Sequence, residues 1–124
     1  MTEVRQIYRC SHCGNTVEIM GEGEGVLICC GAKMKLLTEQ TADATMEKHV
    51  PIIQRESSGI RVKVGSVPHP MTPDHFIECI DLEVDGTLCR KWLTPKDPPE
   101  AFFPVIGIHI VARELCNVHG LWKN

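Results

Sequence analysis

Beyond about residue 49, apolar and polar positions alternate with a period of two. Ile60, Val62 and Val64 fall on one side and Arg61 and Lys63 on the other, the pattern of a strand buried on a single face. Phe76, Ile80, Leu82 and Val84 repeat the pattern, and Ile106, Ile108, Ile110 and Ala112 repeat it again. Asp85-Gly86 is a hairpin turn signal between two such runs, and Ser58-Gly59 is another. Upstream the strand-like pieces are shorter: Val4–Arg9, Thr16–Met20 and Val26–Cys29. Gly21-Glu22-Gly23-Glu24-Gly25 reads as a flexible hairpin connection; no helix follows it, so its likeness to a phosphate-binding loop is superficial. Eight prolines punctuate the chain, and no amphipathic helix of useful length is present. Short strands at this spacing predict an antiparallel β-sandwich over the larger part of the chain.

The pattern divides the chain into a small domain over 1–36, a polar aperiodic linker over 37–48, and a sandwich over 49–124. A segment as short as the first cannot bury enough surface to fold alone, since chains below ~40 residues need a staple. A bound metal would supply one and couple folding to binding. Aromatic residues make up only 5% of the chain against 43% apolar, so the core must be aliphatic. The net charge of −3 gives no reason to expect nucleic acid as a partner. No run approaches the ~18 apolar residues of a membrane span, and the N-terminus lacks a signal-peptide stretch, so the expected location is the cytoplasm.

Seven cysteines, an odd number, argue against a pure disulfide framework. Cys10 and Cys13 are two residues apart with Gly14 permitting the turn beneath them, which is a metal knuckle, and Cys29-Cys30-Gly31 supplies a second pair. Adjacent cysteines diverge, so the four can hold one ion only in a distorted tetrahedron, a site that fits iron or zinc. His12 lies inside the knuckle and reads as a solvated side chain. Cys79 and Cys89 are left over, and a reduced pair is the expectation in a reducing compartment.

The second cluster is richer in nitrogen. His49, His69 and His75 fall in loops or at strand edges, with prolines near the first two restricting the backbone. Cys116 and His119 then bring a thiolate and an imidazole together just after the last apolar run. Four imidazoles and one thiolate are a poor recipe for a structural zinc site, which closes with four ligands. They suit a transition metal that changes charge or binds a small molecule. His109 alternates away from the Ile106/Ile108/Ile110 face and is left out.

Read together, several motifs resemble those of desulfoferrodoxin, the two-iron class of superoxide reductase, over essentially the whole chain. They are Tyr8-Arg9-Cys10-Ser11-His12-Cys13-Gly14, Cys29-Cys30-Gly31, Glu47-Lys48-His49-Val50-Pro51, Gly65-Ser66-Val67-Pro68-His69-Pro70-Met71, Val111-Ala112-Arg113 and Cys116-Asn117-Val118-His119-Gly120. The resemblance implies a mainly β chain: a small desulforedoxin-like domain followed by an immunoglobulin-like antiparallel β-sandwich, assembled as a homodimer. It implies two iron ions per chain, one held by Cys10, Cys13, Cys29 and Cys30. The other would have His49, His69, His75 and His119 in its equatorial plane and Cys116 axial. It further implies reduction of superoxide to hydrogen peroxide with a rubredoxin-like electron donor. Cys79, Cys89 and Leu121 depart from the family pattern, and none of them is an expected ligand.

Within that resemblance, Lys48 is the expected catalytic side chain off the metal, drawing in the anionic substrate and orienting water as a proton source. Glu47 is a second candidate, either at the open iron position after oxidation or as a salt-bridge partner. Two other functions stand beside this one at the level of sequence: a zinc-ribbon interaction module with incidental histidines, and a pure iron electron carrier.

Overall fold

The structure, a computed structural model, describes residues 1–42 and 48–124. Its chain separates into two compact units, Met1–Thr38 and Glu39–Asn124. All the regular structure among the described residues is β. Among the described residues no helix is long and apolar enough to cross a membrane.

In the first unit, β1 (Ile7–Arg9) is flanked by β2 (Thr16–Glu18) and β5 (Lys35–Leu37) in an antiparallel sheet, while β3 (Ile28–Cys29) and β4 (Ala32–Lys33) form a separate pair. The first strand is shorter than its apolar pattern predicts because Arg5 turns the backbone at φ 78, leaving Val4 exposed. The glycine-rich stretch is not a hairpin: β2 pairs with β1, and β3 with β4. Thr2 pins that stretch instead, its amide donating to the Gly23 carbonyl at 2.8 Å and its hydroxyl accepting the Gly23 amide at 3.0 Å. Leu37 still pairs with Ile7 as the last residue of β5, and Gln40 pairs with Trp122. Part of the stretch read as a linker is therefore held in β structure.

The second unit is a sandwich of two antiparallel sheets. One has the order β10 (Glu100–Phe103), β7 (Gly59–Val64), β6 (Pro51–Glu56); the other runs β12 (Gly120–Lys123), β11 (Ile110–Cys116), β8 (Ile77–Val84), β9 (Thr87–Trp92). Period-two alternation turns Ile60, Val62 and Val64 of β7 inward against Ile80, Leu82 and Val84 of β8, with Ala101, Phe103, Ala112 and Cys116 completing the core. Each fully buried aliphatic side chain of this kind contributes about 1.5–3 kcal/mol.

Two departures from the alternation have local causes. The β8–β11 register skips a residue, with Leu115 opposite Cys79 but Cys116 opposite Ile77. That bulge turns Ile77 into the core alongside Ile80. Ile106 and Ile108, expected to lie on a buried face, are 76% and 79% exposed because β11 begins only at Ile110. Their loop is held from two sides. Asp85 accepts the amides of Ile108 (3.2 Å) and His109 (2.9 Å), while Arg55 donates to the carbonyls of Gly107 (2.7 Å) and Ile108 (3.1 Å).

On the other face of the four-stranded sheet, Asp81 and Arg113 are buried charges. Arg90 Nη2 donates to Asp81 at 2.8 Å and Arg113 Nη2 at 3.3 Å; Arg113 also reaches Glu39 at 3.2 Å. Cys79 sits opposite Trp92, whereas Cys89 sits opposite Leu82 and packs against the core. The two thiols are thus on opposite faces of the sheet, and both are free.

Candidate metal centres

In the small unit, Cys10 directly follows β1, Cys29 lies in β3, and Cys13 and Cys30 sit in the turns that follow. Left-handed backbone at Cys30 (φ 53) and Gly31 (φ 73) lets the adjacent pair double back. Their sulfurs lie within 4.8 Å of one another, with Cys13 and Cys29 only 3.6 Å apart. Main-chain amides point at this group: His12 and Cys13 donate to Cys10 Sγ at 3.4 and 3.5 Å, and Asn15 to Cys13 Sγ at 3.4 Å. The Cys13 and His12 amides bring the Cys10 thiol down to about 6, while side-chain contacts with Cys13, Cys10 and Cys29 push Cys30 up to about 12. Four sulfurs this close cannot all ionise without a cation among them, so the donor set fits a thiolate-bound metal. His12 offers the site its main-chain amide, and its side chain is exposed as the sequence predicts.

In the sandwich, His49 precedes β6, His69 and His75 lie in the β7–β8 connection, and Cys116 and His119 bracket the β11–β12 turn. One ligand atom from each lies within 4.8 Å of all the others. The four rings stand at the corners of a square. Neighbouring centroids are 4.7–4.9 Å apart with planes at 73–81°, in the order His49, His69, His75, His119 and back to His49. His49 and His75, across the diagonal, are 6.4 Å apart and tilted by only 29°. Cys116 Sγ lies 3.4 Å from His69 Nε2 and 4.0 Å from His119 Nδ1. Histidines this well grouped are not incidental to a ribbon module.

The electrostatics suit a cation at the centre. His69 Nδ1–H donates to the Pro70 carbonyl at 2.7 Å, which leaves the Nε2 lone pair turned toward Cys116. Burial, reinforced by charge on the other rings, brings His69 down to about 4, so the ring is neutral and able to ligate at pH 7. Burial also lowers His75, with contributions from His119, His49 and Lys48. His75 Nε2 is buried with no hydrogen-bond partner, which a metal would relieve. Burial raises the Cys116 thiol, opposed by the main-chain amides of His119 (3.4 Å to the sulfur) and Val118. His69 and Cys116 are buried while His119 and Val118 are exposed, so the square has one dry side and one wet side. Lys48 is close enough to affect His75, and Glu47 lies outside the described residues.

Matching family models cover nearly the whole chain: desulfoferrodoxin N-terminal domain over residues 2–37 and desulfoferrodoxin over 41–124. The chain belongs to the desulfoferrodoxin family. It is 52% identical over 118 residues to a desulfoferrodoxin of Nitratidesulfovibrio vulgaris, covering 95% of this chain and 94% of that one. It is 36% identical to a superoxide reductase of Pyrococcus abyssi over 106 residues, covering 70% of this chain and 92% of that one. The superoxide reductase from Treponema pallidum superposes with a TM-score of 0.78 at 27% identity, covering 96% of each chain. The four-cysteine group and the four-histidine, one-cysteine group correspond to the two iron sites of a desulfoferrodoxin, and the family likeness supports an oxidoreductase.

Other residues also shape the second centre. Trp122 stacks on His49 at 4.6 Å and 19°, and its Nε1 donates to the His119 carbonyl at 3.2 Å. Gln40 Nε2 donates to the same carbonyl at 2.9 Å, from a stretch whose polarity suggests only a linker. Glu114 is buried with neither carboxyl oxygen partnered, and burial pushes its pKa well up. It shares parity with Ala112 and Ile110, so an inward-facing acid was readable from the alternation.

Proposed function

We propose that this protein is a superoxide reductase, reducing superoxide to hydrogen peroxide at the four-histidine, one-cysteine centre in the cytoplasm. The observation that carries the reading is the square of four imidazoles beside a buried thiol, open to solvent on one side, in a chain of this family. The assignment of His49, His69, His75, His119 and Cys116 as ligands, and of the four N-terminal cysteines as the other set, is part of the proposal. Ferrous iron bound there would supply the single electron.

The chain's own residues would do the rest. The product needs that electron and two protons, and no O–O bond breaks. Protons must therefore reach the substrate from the wet side, where His119 and Val118 meet solvent. Lys48, near His75, adds positive charge that attracts an anion and orients water as a proton source. Buried surroundings and two main-chain amides would tune how strongly the Cys116 thiolate donates. Glu47, next in sequence, is retained as a subsidiary candidate.

The small domain, proposed as 1–36 and joined through 37–48 to a catalytic domain over 49–124, would hold the four-cysteine iron, which relays electrons, stabilises that domain or supports a homodimer, with electrons supplied by a rubredoxin-like donor. A superoxide pulse on the reduced, iron-loaded protein tests the central claim. One peroxide per superoxide without dioxygen is expected. Dioxygen evolution, or oxidation no faster than an electron carrier with a closed site shows, would refute it.

A further inference from the structure

His75 is the corner of the square with the least to hold its ring. His69 is fixed by the Pro70 carbonyl, and His49 Nε2 lies 3.0 Å from His119 Nδ1, but His75 Nε2 has no hydrogen-bond partner. Apart from edge contacts with the His69 and His119 rings, its direction comes from its backbone. That backbone turns tightly, with the Thr72 and His75 amides exchanging bonds to each other's carbonyls at 3.0 and 3.1 Å. The turn is then fastened to the rest of the sandwich by a residue that is not a ligand. Asn117 Oδ1 accepts the Phe76 amide at 2.9 Å, Asn117 Nδ2 donates to the Asp74 carbonyl at 3.0 Å, and the Asn117 amide donates to the Phe76 carbonyl at 3.2 Å. One side chain therefore grips the main chain on both sides of His75.

Asn117 also sits next to Cys116 and two residues before His119. We propose that Asn117 is a positioning residue that couples the His75 turn to the Cys116–His119 turn, setting the His75 imidazole against the thiolate before metal arrives. An asparagine suits this task because one planar amide offers an acceptor and a donor on the same end. Aspartate keeps the acceptor for Phe76 but turns a second oxygen on the Asp74 carbonyl, so it does half the work. The proposal rests on reading this cluster as an iron site, and not on the identity of the substrate.

The test compares iron-loaded wild type with Asn117→Ala, Asn117→Asp and, as a control, Asn124→Ala. Asn124 makes a similar bond, its Oδ1 accepting the Ala112 amide at 2.9 Å, away from the ligand turns. The readouts are the rate of iron release to an excess of chelator, followed separately for each centre, and the visible thiolate-to-iron absorption. Loss of an outer partner of a metal ligand weakens binding by ~10–100-fold. Asn117→Ala should therefore release the histidine-bound iron at least ~10-fold faster, with a displaced absorption band, and Asn117→Asp should fall between it and wild type. The four-cysteine iron and the Asn124→Ala protein should behave as wild type. If Asn117→Ala does not fold, Asn117→Asp decides alone. Release and absorption like wild type in the folded variants would overturn the coupling role and leave the functional reading standing. Wild-type protein that takes up no second iron would overturn both.

Discussion

The main chain of Lys48 crosses the bare α-carbon of Gly65. A Cβ built on that glycine falls 2.5 Å from the carbonyl carbon and oxygen of Lys48, and the backbone there has φ +83. Contact this close ties the position of Lys48, and of His49 after it, to the absence of a side chain at 65. Gly65→Ala should therefore strain the turn by about 1–3 kcal/mol and displace His49. The expected outcome is a lower denaturant midpoint together with an altered absorption of the histidine-bound iron. A midpoint and spectrum equal to wild type would show that the two segments move apart freely.

Lys48 itself should act through charge. Lys48→Ala should slow capture of superoxide by ~10-fold at low ionic strength and flatten its salt dependence, leaving the iron spectrum unchanged. Stopped-flow capture rates across a salt series measure both. Rates that track wild type at every salt concentration would remove Lys48 from the mechanism.

Asp81 is buried with two arginines on its carboxylate, and Arg113 is buried with it. Asp81→Asn takes the carboxylate charge away from Arg90 and from the buried Arg113, which keeps its contact with Glu39. Breaking one side of a buried pair costs about 3–5 kcal/mol, which equilibrium unfolding of the loaded protein would register.

Asp85 gives the fold an acid-sensitive fastening. The amides of His109 and Ile108 hold its carboxylate below its usual range. A group with a lowered folded pKa stabilises fully above its unfolded value, ~3.9 for aspartate, and the benefit is lost as pH falls through the folded value. The stability difference between wild type and Asp85→Asn should therefore be constant near neutrality and shrink below about pH 4. Loss of metal in acid is common to both proteins and cancels in that difference. A gap independent of pH would show that the carboxylate charge contributes nothing.

Cys79 and Cys89 should form no intramolecular disulfide, since they lie on opposite faces of one sheet. Burial pushes the Cys79 thiol up to about 12, so it should resist alkylation in the native protein and react on unfolding. Intact mass before and after denaturation, without reductant, reads both properties.

What the amino-acid sequence determined by itself was local chemistry and local period. Ligand types, the Cys10/Cys13 knuckle and the alternation of Ile60, Val62 and Val64 depend on near neighbours along the chain, so they could be read without coordinates. The tertiary structure decided everything that depends on register and closure. A skipped residue between β8 and β11 put Ile77 inside, and the late start of β11 left Ile106 and Ile108 outside. The square of His49, His69, His75 and His119 exists only because strand ends far apart in sequence meet at one end of the sandwich. Asn117 and Gln40 carry no sequence signal for their roles, because each acts on main-chain groups whose positions only the packed sheets define.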